Sequence, residues 1–300
     1  MIVPLPLKNG KILAGVHDGS FHPDDVVCAA LLMRIYGKDR VEIVRTRDPA
    51  ALAALDYVLD VGERDEIGAE RVCLDHHQKD SLVRPNGIKA AACGKLADLV
   101  FSDEPEKLKR LRDLFLDALE AEDNGQDMDL PGHPFRFVDA MNPTWREDPA
   151  LADARFLEAA GMALTVLNRL LETAEASMEA EQRIRQAIMD SPGGGLLLLD
   201  RPYPWHGTVL EHNALHPDRK MILIVSPDSK GRWRVQTVPK ARTTFQSHLD
   251  LPSGWAGLRD GALEKACGVA GAVFCHKARF LAVFTTREGA LEAARKALEQ

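Results

Sequence analysis

The chain has 300 residues, 45% of them hydrophobic and 28% charged, with a formal net charge of -7. Single cores stop growing at roughly 250 to 300 residues, so two domains are expected, and the composition excludes disordered, fibrous and disulfide-scaffold classes. The negative charge weighs against a broad basic surface that grips long duplex nucleic acid, but leaves room for a short anionic substrate.

In chain order, "KILAGV" (11–16), "VEIVRT" (41–46), "YVLDV" (57–61) and "RVCLD" (71–75) read as strands. Between the first two, "PDDVVCAALLMRIYG" has apolar residues at helical spacing and stops at Gly37, while Asp48 and Pro49 form an N-cap and first-turn pair. Strand and helix in alternation predict an α/β fold with a mainly parallel sheet. Helical patterns follow over 105–123 and about 151–190, and "SPGGG" (191–195) ends them. Beyond it, "GLLLLD", "MILIVSPD", "RWRVQTVP" and "VAGAVFCH" read as strands, and a closing helix starts near Glu288. The domains are expected at 1–190 and 195–300, the second a smaller α+β unit.

Cys28, Cys73, Cys93, Cys267 and Cys275 are odd in number and form no C-x-x-C, so they read as reduced core residues. No apolar run approaches a membrane span of roughly 18 residues, and the first residues lack a basic and then apolar leader. A cytoplasmic protein with no membrane partner is expected. Trp205 and Trp255 are read as core residues in preference to base-stacking ones, and His212 and His216 as loop residues.

In open α/β sheets, ligands bind outside the carboxyl ends of the strands. The first strand here runs into "HDGSFHPDD", with His17, Asp18, His22, Asp24 and Asp25; the third carries Asp60; the fourth runs into Asp75, His76 and His77. Asp123 closes a long helical run, before Asn124 and Gly125. Taken singly, each cluster has a bland explanation as a loop, turn or helix-start group. Taken jointly, they supply more ligands than one ion takes from protein. Two divalent ions roughly 3.5 to 4 Å apart would use them, and carboxylates with some imidazole and no thiolate favour Mn²⁺ or Mg²⁺. No G-x-S-x-G, Walker-type or H-E-x-x-H pattern is present, which removes the common serine-hydrolase, P-loop and zinc-protease readings.

"HDGSFHPDD", "VLDVG", "LDHHQ" and "EDNG", in that order, resemble the four motifs of the DHH phosphoesterase superfamily. The chain is most similar to its Myg (melanocyte-proliferating-gene) family, through those motifs and through "NPTW", "RWRVQTVP", "LPSGWAGLRD" and "VFCHKARF". The resemblance implies that His17 and His22 bind one ion with Asp60, while Asp24, His76 and Asp123 bind the other, with Asp60 bridging. Mn²⁺ is favoured because His22 stands where superfamily members often have aspartate. Asp75 would orient a neighbouring histidine and His77 would face the phosphate, which makes Asp60, Asp75 and His77 the expected catalytic set. His276 and Lys277, with Arg234, Lys240 and Arg242, would hold substrate, although "KARFLAVF" replaces the glycine pair of many relatives after His276. The implied activity is a metal-dependent phosphodiesterase, a 3′-5′ exonuclease on single-stranded RNA or short oligonucleotides. The alternatives are hydrolysis of another small phosphoester or pyrophosphate, and a non-catalytic metal- or nucleotide-binding regulatory module. The oligomeric state is left open, a homodimer included.

Overall fold

The computed structural model describes residues 5–300 apart from 192, 194 and 245, so the "SPGGG" stretch lies partly outside the described residues. Two compact units divide at Glu175/Ala176. In the first, β1 (Ile12–Val16), β2 (Val41–Arg45), β3 (Tyr57–Leu59), β4 (Glu66–Ile67) and β5 (Val72–Leu74) form one sheet in the order β2-β1-β3-β5-β4. All pairings are parallel except that of β4, a two-residue edge strand with no legible sequence pattern.

Both faces of this sheet are buried. Ile12, Ala14, Tyr57, Leu59, Val72 and Leu74 point into the main core with α1 (Pro23–Tyr36) and α3 (Ala92–Val100); the alternate residues Val58 and Cys73 join a small cluster with Leu52 and Leu55, beside α2 (Pro49–Leu52). Apolar side chains at both parities are what a parallel strand covered on both sides requires. α1 ends at Gly37, whose φ of +91° is open to glycine at no steric cost. The run over 105–123 is helical throughout as α4 (Pro105–Leu111), a π-helical turn (Arg112–Leu116) and α5 (Asp117–Asp123). α3 escapes the sequence pattern because its short apolar run abuts a loop rich in polar residues.

Helix α6 (Ala152–Asp190) runs through the divide between the units, whereas the composition change expected above lies at 190–195. Its end belongs to the second unit by packing: Ile184 and Ile188 are buried against Leu197 and Trp205. That unit holds a mixed sheet, β6 (Leu196–Leu198), β7 (Leu223–Pro227), β8 (Trp233–Thr237), β9 (Ala272–Cys275) and β10 (Leu281–Phe284), in the order β6-β7-β8-β10-β9. One face packs on α7 (His206–Leu215) and the end of α6, the other on α8 (Asp260–Cys267) and α9 (Arg287–Leu298).

Strand β10 is an addition to the expected elements, since "KARFLAVF" reads from sequence only as a departure from a glycine-containing loop. His212 is a correction: it lies inside α7, and its Nε2 meets Arg219 O at 3.0 Å, whereas His216 is the C-cap just before Pro217. Trp205 and Trp255 are core residues, and all five cysteines are buried and free. Among the described residues no helix is long and apolar enough to cross a membrane.

Candidate metal centre

The carboxyl ends of β1, β3 and β5 converge on one place. His17 follows β1, Asp60 follows β3, and Asp75, His76 and His77 follow β5; His22 caps α1, Asp24 lies in its first turn, and Asp123 is the last residue of α5. Asp60 sits at φ +58°, a left-handed conformation that aspartate tolerates better than most residues.

All of these side chains but Asp75 fall into three groups, within each of which the ligand atoms lie within 4.8 Å of one another: His17, His22 and Asp60; Asp60, His76 and His77; and Asp24, His76 and Asp123. Asp60 faces both ways, with Oδ2 3.5 Å from His17 Nε2 and Oδ1 3.1 Å from His76 Nε2. His76 Nε2 is also 3.1 Å from Asp123 Oδ2 and 3.9 Å from Asp24 Oδ2.

The surroundings fix the rings. His17 Nδ1 meets the carbonyl of Asp18 at 2.9 Å and His76 Nδ1 meets Asn124 Oδ1 at 3.3 Å, so each ring turns its Nε2 to the carboxylates. Asn124 is itself held, donating to Lys89 O and Glu120 O. Asp75 accepts from the backbone of Glu63 and His76 at 2.6 and 2.7 Å and meets His77 Nδ1 at 2.6 Å. Asp24 is cradled by the first amides of α3: Ala92 N donates at 2.9 Å and Cys93 N at 2.7 Å. A helix N-terminus favours a carboxylate in that position.

Asp25 belongs to the strand-end cluster read from the sequence but stands outside the ligand set that the resemblance implies. It is fully buried, takes the amide of His22 at 2.9 Å on Oδ1, and brings Oδ2, a buried oxygen with no hydrogen bond, within 3.2 Å of His17 Nε2. The tandem Asp24–Asp25 is the available signal, since two consecutive acids in a helical turn cannot both face solvent when the helix is buried. Beside the cluster opens a cavity of about 450 Å³ lined by Asp60, Asp75 and His77 together with Arg47, Arg64 and Arg71.

So many buried acids cannot all be charged. Burial pushes the Asp25 carboxyl up to about 8, with Asp60 adding repulsion, and burial together with Asp24 and Asp60 raises Asp123. Asp24 is raised by burial and by Asp60. Burial opposes the charged rings of His17 and His76, but their contacts with Asp60 prevail and raise both, His17 to about 9. Burial and the neighbouring His17 lower His22. The donor set is therefore imidazole and carboxylate, without thiolate and with a surplus of acid, which suits hard or borderline divalent cations.

A pH test follows. Asp25 keeps its proton in the fold up to about 8 against an ordinary 3.8, and His17 up to about 9 against 6.5, so both contributions to cation-free stability decline as pH rises through those windows. Cation binding needs the deprotonated donors and strengthens over the same range. The rise in Tm caused by Mn²⁺ is expected to be larger at pH 8.5 than at pH 6.5 by about 5 °C or more. Equal rises in thermal melts at the two pH values would remove these groups from cation binding.

In the second unit, His276 and Lys277 follow the end of β9, and Lys240 and Arg242 follow the end of β8. The register makes these the same end of the sheet, because β10 pairs antiparallel with both strands. Arg234 lies near the other end of β8, half-buried, its Nη2 3.3 Å from Pro227 O, and is not brought to that cluster. The ring of His276 accepts from Ala278 N at 3.1 Å and lies against Phe280, with centroids 4.4 Å apart; Lys277, Lys240 and Arg242 are exposed.

Comparison with known proteins places the chain. The family model MYG1_exonuc, described as "Uncharacterised protein family (UPF0160)", matches residues 13–298. The chain belongs to this MYG1 family. It is 32% identical to the human "MYG1 exonuclease", covering 99% of this chain and 90% of that protein, and 33% identical to the rat "MYG1 exonuclease", covering 95% and 84%. It is also 32% identical to the "MYG1 protein" of Chlamydia muridarum, covering 95% and 96%. Among solved structures it is similar to RecJ in complex with Mn²⁺ from Thermus thermophilus, with 14% identity, a TM-score of 0.29, and coverage of 98% of this chain and 52% of that one. All four motif segments of this MYG1 chain lie inside the matched span.

Proposed function

We propose that this chain is a divalent-metal-dependent phosphodiesterase of the DHH superfamily, acting as a 3′-5′ exonuclease on single-stranded RNA or short oligonucleotides. The observation that carries the reading is the two-sided placement of Asp60: its two oxygens face opposite histidines, so one carboxylate belongs to two ligand groups. The name exonuclease borne by the human and rat relatives supports a nucleic-acid substrate.

His17, His22 and Asp60 would hold one cation, and Asp24, His76 and Asp123 the other, with Asp60 shared and Asp25 backing His17. Two such cations, Mn²⁺ by the imidazole content, supply water activation and neutralise charge building on the phosphoryl oxygens. The chain's own groups do the rest. Asp75 fixes the ring of His77, which is 57% exposed and presents its free edge to a phosphoryl oxygen. Arg47, Arg64 and Arg71, which line the adjoining cavity beside Asp60, Glu63 and Asp75, offer guanidinium donors to a phosphodiester. His276, Lys277, Lys240 and Arg242 make the second unit's cationic end a candidate phosphate grip, and Arg234, near the other end of β8, stands outside it.

The test is a panel of end-labelled single-stranded RNA and DNA, cyclic dinucleotides and pyrophosphate, each with Mn²⁺ and with Mg²⁺. Stepwise loss of nucleotides from the 3′ end, faster with Mn²⁺, is expected. Cleavage of pyrophosphate alone would overturn the substrate assignment. Cation-induced stabilisation with no turnover of any ester would make the chain a binding module instead.

A further inference from the structure

Of the four tryptophans, Trp205 and Trp255 are buried and Trp233 is half-buried, whereas Trp145 is 87% exposed. An exposed indole gains nothing from the fold, so its presentation calls for a reason outside the core. The segment that carries it is braced. Trp145 and Arg146 occupy the two central positions of a turn closed by Glu147 N donating to Thr144 O at 3.0 Å; the Glu147 carboxylate accepts from Thr144 N and Oγ1, both at 2.9 Å, and is paired with Arg155.

The same segment is tied to the metal centre's own loop. Asn142 accepts from Phe21 N and donates to Phe21 O, both at 2.8 Å, and Phe21 is the residue immediately before His22. Three residues of chain span at most about 11 Å, so the Trp145 turn springs from a point about one or two nucleotide lengths from the clamp on the histidine loop.

The ligand class follows from the chemistry of the turn. The Arg146 guanidinium lies 4.9 Å from the centroid of the Trp145 ring, so one face has a cation and the ring is otherwise open. Thr144, Arg146, Glu147 and Asp148, its neighbours along the chain, are polar, so within its own turn the ring is the one large apolar side chain. A flat, isolated, rigid aromatic beside a cation suits a nucleobase whose backbone carries phosphate.

We infer that Trp145, with Arg146, is a stacking platform for a base of the single-stranded substrate, positioned from the metal loop by the grip of Asn142 on Phe21. This rests on the oligonucleotide reading above. Trp145 is thus a binding residue, and its loss should fall on substrate affinity. In the full chain with Mn²⁺, Trp145→Ala is expected to raise KM for a short oligoadenylate about 10-fold, moving kcat less, while Trp145→Phe retains most of the affinity. Oligoadenylate should quench tryptophan fluorescence of the wild type in a calcium-substituted, non-hydrolysing assay, and the quench should be absent from Trp145→Phe.

An unchanged KM and an unchanged quench in the variants would overturn the platform. So would equal losses of kcat and Tm in both variants, which would make Trp145 structural, or a fall in particle mass of Trp145→Ala by light scattering, which would mean that a second copy covers the ring. Failure of the exonuclease reading gives a different signature: the wild type shortens no oligonucleotide, whereas the fluorescence titration, which needs no turnover, still reports whether Trp145 stacks.

Discussion

Replacing Asp60 with asparagine is expected to lower Mn²⁺-dependent phosphodiester turnover by about 10³-fold or more while the chain stays folded. Its two oxygens face different histidines, at 3.5 and 3.1 Å, so one neutral amide removes the carboxylate shared by the His17, His22 pair and the His76, His77 pair. A loss of about 4 kcal/mol in transition-state stabilisation gives that factor, at about 1.4 kcal/mol per tenfold. The fold should tolerate the change for two reasons. Asparagine accepts the left-handed backbone at φ +58° as readily as aspartate does, whereas alanine would be strained there. The lost attraction to His17 and His76 is offset by relief of the repulsion that Asp60 exerts on Asp24, Asp25 and Asp123. End-labelled oligonucleotide assays read the rate, and circular dichroism melts in chelator read the fold. Activity within tenfold of wild type would remove Asp60 from the reaction.

The centre is legible in the sequence because its geometry follows topology. A residue just past a parallel strand must emerge at the same edge as its counterparts on neighbouring strands, so His17, Asp60 and Asp75 to His77 fall together once β1, β3 and β5 are read. Asp123 is harder, since a helix end can point anywhere; the following Asn124 is what ties it in, through the ring of His76. Asp25 stays outside the expected ligand set because the first turn of a helix is an ordinary place for acids, and the burial of α1 turns this one inward. In the second unit, β10 goes unread because its apolar run sits inside a segment weighed against a glycine-containing loop. Charge alone groups Arg234 with the other cations, and only the register shows that it lies near the opposite end of β8. Trp145 gives no periodic signal; its exposure is a tertiary fact.

Glu120→Ala should be the most destabilising single change around the centre, costing about 3 to 5 kcal/mol although Glu120 belongs to none of the ligand groups. The carboxylate is fully buried, accepts from Arg84 Nε and Nη2, both at 2.5 Å, from Arg112 Nη1 at 3.1 Å and from the backbone of Ala91 at 3.1 Å. Removing it strands Arg84, which is only 10% exposed and retains its 2.9 Å contact with Asp98. It also frees the residue before α3, whose first amides cradle Asp24, from α5, whose last residue is Asp123. The two helices pack so closely that a Cβ on Gly94 would stand 1.7 Å from Glu120 Oε1, so Gly94→Ala should disturb the same joint. At about 2 to 4 °C per kcal/mol, Tm is expected to fall by about 10 °C in Glu120→Ala. Calorimetric titration should show weaker Mn²⁺ binding as well, because Asp24 and Asp123 lose their fixed separation. Unchanged melting would show that the arginines find other partners, and unchanged Mn²⁺ affinity in a destabilised variant would show that the ligand positions are set by the sheet edge alone.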